Sequence, residues 1–74
     1  MITILDFKIL DNQAKADAVW EGAYLADRWE ESMHIQLFSL GSFYVEVFYD
    51  LKKNEITKME AFSSPGLLVP YFRG

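Results

Sequence analysis

His34 is the only histidine of the chain, and it stands close to Asp27, Glu30 and Glu31. Imidazole titrates near neutrality and a neighbouring carboxylate orients it, so proton transfer or metal binding is sought here first. A metal site needs three or four converging ligands. This stretch offers no second histidine and no cysteine, and its acids lie in and around a turn. His34 therefore reads as an ordinary residue at the start of a strand. Glu30 and Glu31 are adjacent, and successive side chains of a strand point to opposite faces, so the two cannot enter one cleft together. Ser32, Ser39, Ser42, Ser63 and Ser64 fall in or beside turns, where hydroxyls bond the backbone. Neither G-x-S-x-G nor a phosphate-cradling glycine loop occurs among the four glycines. The expectation is a non-enzymatic protein with no catalytic, cofactor-binding or metal-ligating residues.

Composition narrows the class further. A chain of 74 residues supports a single core, which must be dense in large side chains. Six Phe, four Tyr and two Trp supply it, and the lack of Cys removes disulfides and thiol chemistry. The opening MITILDFKIL has no basic lead and no small-residue cleavage site, so it does not read as a signal peptide. No apolar run approaches the ~20 residues that span a bilayer. A soluble, cytoplasmic protein without a membrane partner is expected. The net charge of −4 is uneven, with seven acids and three bases in residues 1 to 37 and four of each thereafter. That balance disfavours nucleic acid, which is bound through Lys and Arg.

The elements follow from periodicity and caps. Asp11 is placed to cap a helix over 12 to 21, whose Ala16, Val19 and Trp20 share a face, with Gly22 as a left-handed cap. Alternation of Ala23, Leu25 and Trp29 with Tyr24, Ala26 and Arg28 predicts a strand over 23 to 29; the alternative is one longer helix to about Ser32 and only three strands. Strands over 34 to 40 and 43 to 50 meet at Gly41 and Ser42, a pair suited to a type II′ turn. This sets Phe38 opposite Val45 and Gln36 opposite Val47. A strand over 55 to 62 returns with Tyr49 opposite Ile56 and Phe43 near Phe62. Ser64 and Pro65 then open a helical turn. The fold class is α+β: an N-terminal helix packed on a four-stranded antiparallel meander, with a short C-terminal helical turn, in one domain.

These registers separate two faces. One gathers Phe38, Leu40, Phe43, Val45, Val47, Tyr49, Ile56 and Phe62 and reads as the core beneath the helix. The other gathers Ile35, Leu37, Tyr44, Glu46, Phe48 and Met59, too apolar for ordinary surface yet centred on a carboxylate that resists burial without a partner. Either the C-terminal turn or the leader folds over it, or it is a contact surface for a protein partner. A homodimer is the simplest form, since a two-fold needs one self-complementary patch.

Two further readings stand beside that one. Asp27, Glu30 and Glu31 suit an acidic inhibitor or antitoxin aimed at a basic target. A helix-sheet pocket using His34 or Glu46 as acid or base suits a small-molecule-binding domain or enzyme. FYVEVFY, residues 42 to 49 less their first serine, resembles over seven residues the aromatic strand of RNA-recognition domains, which would imply base stacking. The stretch departs from that pattern by lacking the Lys/Arg-Gly lead and by setting Glu46 between its rings. No nucleic acid partner is expected.

Overall fold

Both N-terminal helices begin on a side-chain cap. In the computed structural model, which describes residues 2–72, the Thr3 hydroxyl accepts from the Asp6 amide at 3.1 Å while the Asp6 carboxylate accepts from the Thr3 amide at 3.2 Å. This reciprocal box starts α1 (Ile4–Lys8), which turns the leader into a short helix that the hydrophobic pattern alone does not announce. Asp11 caps α2 (Asn12–Trp20) as expected, accepting from the Ala14 amide at 2.8 Å.

Gly22 serves differently from expectation. The helix ends on Glu21 in the right-handed region, and among the described residues the glycine with positive φ is Gly41, at 99°. What Gly22 provides is room, because a Cβ there would lie 2.7 Å from the Ser39 carbonyl oxygen. The chain can thus pass from α2 straight into the sheet.

That sheet has four antiparallel strands in sequence order, β1 (Ala23–Glu30), β2 (Met33–Ser39), β3 (Tyr44–Asp50) and β4 (Glu55–Phe62). Residues 23–30 are strand, not a continuation of the helix. The β2–β3 register has Phe38 opposite Val45 and Gln36 opposite Val47, and the Leu40 amide donates to the Phe43 carbonyl at 2.9 Å across the Gly41 turn. Two bulges break the outer pairings. Leu25 is skipped between β1 and β2, and Thr57 between β3 and β4.

The second bulge changes what faces what. Tyr49 does lie opposite Ile56, but past Thr57 the alternation reverses, pairing Val47 with Met59, Val45 with Ala61 and Tyr44 with Phe62. A one-residue slip carries every later side chain to the other face. Met59 therefore joins the helix side, while Phe62, Lys58 and Glu60 move to the opposite side. The expected Phe43–Phe62 neighbourhood is replaced by Tyr44 stacked on Phe62 at 5.6 Å.

The main core lies between the helices and the sheet. Phe7, Val19, Phe38, Leu40, Phe43, Val45 and Val47 are buried in one cluster, with Met59, Ala61 and Leu10 against it. Phe7 of α1 meets the Phe43 ring at 5.7 Å. On the other side of the sheet, a 3-10 turn (Pro65–Leu68) runs into α3 (Val69–Phe72), which docks on β1. Pro65 occupies the first turn as expected, although the Ser64 side chain makes no cap hydrogen bond.

A candidate contact surface on the sheet

Of the six residues expected to form a contact face, the structure gathers five on the C-terminal side. Ile35 and Leu37 are buried, at 0% and 3% exposure, and Glu46 retains only 8%. Tyr44 and Phe48 are half-buried. Met59 faces the helices because of the Thr57 bulge. The C-terminal turn reaches that face through Tyr71, which meets Glu46.

The Glu46 carboxylate accepts from the Tyr71 hydroxyl at 2.6 Å and from an Arg28 terminal nitrogen at 3.1 Å, both on Oε2. The Arg28 guanidinium also lies over the Tyr71 ring at 5.5 Å and pairs with Glu30. A buried carboxylate with two donors is tolerable where a bare one is not. Burial first, then the Glu46 hydrogen bond and charge, push the Tyr71 phenol well above the usual tyrosine range. For Arg28 burial opposes the charge, but bonds to Glu30, Tyr71 and Glu46 outweigh it and hold the guanidinium charged more firmly than usual.

Neither Arg28 nor Tyr71 was marked out by the sequence as a partner of Glu46. The pertinent signal was the lone acid in the apolar run YVEVF, which calls for a donor without saying which. Arg28 lies opposite Ile35 and so diagonal to Glu46 only once the Leu25 bulge is placed.

The helix side of the sheet holds a different surface. On it one residue from each strand forms a row: Trp29 opposite His34, His34 opposite Tyr49, and Tyr49 opposite Ile56. Trp29 lies flat on the His34 imidazole, with centroids 4.1 Å apart and planes inclined by 9°. His34 Nε2 is 2.7 Å from an Asp27 carboxylate oxygen, which fixes the ring. The Tyr49 hydroxyl donates to the Asn54 side chain, in a loop where Asn54 takes a positive φ of 56°. Nearer the helix, Trp20 and Tyr24 both pack edge-on against Phe38, at 5.6 and 5.7 Å.

Three of these rings stay largely in solvent. Trp29 is 58% exposed, Trp20 55% and Tyr24 53%. The surface is a shelf of rings held in place by partners beneath and beside them, suited to apolar and stacking contact. His34 is positioned in it as a packed, hydrogen-bonded residue.

Among the described residues are two shallow cavities, one of which shares Ile56 with this surface. One of about 220 Å³ sits between α2 and β4, lined by Asn12, Lys15, Ala16, Ile56 and Met59 among others. The second, about 570 Å³, is bounded by Ile2, Ala18, Gly22 and Leu40. Neither is lined by His34 or Glu46, the groups expected as acid or base. Among the described residues, no group of three or more His, Asp or Glu side chains converges as a metal site, and no helix is long and apolar enough to cross a membrane. No family model, curated protein or solved structure matches the chain.

Proposed function

We propose that this protein is a non-enzymatic protein-contact module whose binding surface is the aromatic shelf of Trp29, His34, Tyr49 and Ile56, flanked by Trp20 and Tyr24. The observation that carries the reading is the exposure of two tryptophans and a tyrosine on one side of one sheet, all held in fixed orientation. The exposed rings form two groups, Trp20 and Tyr24 about Phe38 and Trp29 on His34, with Asp27 and Gln36 between them, and large apolar side chains gathered on one exposed side mark contact sites. Trp and Tyr are also the residues that most often dominate interface energetics, because they bury much area for little lost conformational freedom.

The acidic-inhibitor reading has less support. Asp27 is occupied by His34 and Glu30 by Arg28, which leaves Glu31 as the more available of the three carboxylates. The pocket-based reading is weakened by the separation of both cavities from His34 and Glu46.

The test is capture of bound proteins from a native lysate with the wild type and with Trp29→Ser, both first shown to melt cooperatively. Loss of a specific partner in the variant is the expected result. An unchanged set of bound proteins would remove Trp29 from the surface and with it this reading.

A further inference from the structure

We infer that β4 is a self-pairing edge, through which two copies of this chain join their sheets into one of eight strands. β4 is the last strand of the sheet, and among the described residues no backbone group outside the sheet hydrogen bonds to it. Its residues 55–58 and Glu60 are exposed. The opposite edge is bulged too, at Leu25 as β4 is at Thr57, and has α3 against it as β4 has α1, but its cation, Arg28, is already held by Glu46 and Glu30.

The occupant follows from charge. An antiparallel pair of identical strands related by a two-fold that keeps both sets of helices on one side must be centred on a residue, because opposed residues share a face. In the part of β4 beyond the bulge, centring on Lys58 sets lysine against lysine, and centring on Glu60 sets glutamate against glutamate. Centring on Met59 sets Lys58 against the copy's Glu60 and Glu60 against the copy's Lys58. Opposed unlike charges favour a register and like charges disfavour it, so the strand selects the Met59-centred pairing with itself.

Both side chains are available for it. Lys58 and Glu60 are more than half exposed and meet only loosely within the strand, at 3.8 Å. Lysine on an edge ordinarily deters pairing, and here the copy supplies its counter-charge. The cavity between α2 and β4 opens at the same place and includes Met59 in its lining. The Thr57 bulge keeps the paired stretch short, so the association is weak and concentration-dependent.

This inference does not depend on the aromatic shelf. It places two shelves on the same side of one sheet, so a partner with two sites binds with added avidity. Sedimentation velocity from micromolar to millimolar concentration tests it, using wild type, Lys58→Glu, Glu60→Lys, and an equimolar mixture of the two variants. Wild type should self-associate, each single variant should do so about tenfold more weakly, and the mixture should recover association, because every opposed pair is then unlike. Lys58→Glu also loses a contact over the Phe48 ring at 4.4 Å, so Glu60→Lys is the variant that isolates the edge. A monomeric wild type throughout, or association insensitive to both reversals, overturns the inference. Association abolished by Trp29→Ser and untouched by the reversals also overturns it, and places self-contact on the shelf.

Discussion

The two sides of the sheet solve the same burial problem by different means. Beneath α1 and α2 the sheet presents a wholly apolar cluster around Phe43, Val45 and Val47, closed by two capped helices. On the other side Ile35, Leu37 and Phe62 are covered by a turn of eight residues, and a polar contact at Glu46 fixes it in place. Much apolar area needs no polar guide. A short segment with little area to bury gains its position from one directed hydrogen bond and a ring over a guanidinium.

That contrast orders the expected effects of substitution. Phe43→Ala on the helix side should be the most damaging, at about 3–5 kcal/mol, because a fully buried ring leaves a cavity that the helices cannot close. The urea midpoint should fall steeply while the slope of the unfolding curve stays constant. Arg28→Leu comes next. Removing one partner of a mostly buried pair strands the other, but Tyr71 still donates to Glu46 and Arg28 keeps some contact with water, so about 2–3 kcal/mol is expected. Replacing Glu46 as well, by Leu, should recover most of that loss. A double variant no better than Arg28→Leu would show that the loss does not come from a Glu46 charge left without its partner.

Gly22→Ala should cost about 1–3 kcal/mol, since its methyl group would meet the Ser39 carbonyl and the Leu40 side chain. A melting temperature equal to wild type would mean that the junction between α2 and β1 has slack.

The smallest effect is assigned to Tyr71→Phe, about 1–2 kcal/mol for a hydrogen bond to a charged acceptor with Arg28 still in place. It has a pH signature. The folded phenol titrates above its ordinary value of 10.0, so the folded state holds its proton where the unfolded chain releases it. Its contribution is present in full below pH 10 and is lost as pH rises toward the folded value. Urea denaturation at increasing alkaline pH should show a decline in the wild type that is shallower in Tyr71→Phe. Equal declines would place the cause elsewhere.

The helix side was largely legible in the sequence. Asp11 and the Gly41–Ser42 turn are local signals that set the start of the helix, the central hairpin and its register, whereas of the α2 stripe only Val19 is buried, and Trp20, Tyr49 and Ile56, expected in the core, lie partly or largely in solvent. The C-terminal side was not. Apolar and polar residues alternate on both sides of a bulge, so the pattern of β4 reads the same with Thr57 paired or skipped, and Met59 was assigned to the wrong face. Leu25 hid Arg28 from Glu46 in the same way. The contact between Glu46 and Tyr71 spans 25 residues and has no local mark. The aromatic shelf was missed for a related reason. Trp29, His34, Tyr49 and Ile56 come from four strands, and only their complete pairing puts them in one row.

The most direct measurement is hydrogen exchange on the purified complex between this chain and a protein it captures. The account predicts slowed amides in residues 27–36 and 49–56, around the shelf, with those of the C-terminal turn unchanged. Protection confined to residues 62–72 and the strand beneath them would contradict it and return the contact to the side that Tyr71 covers.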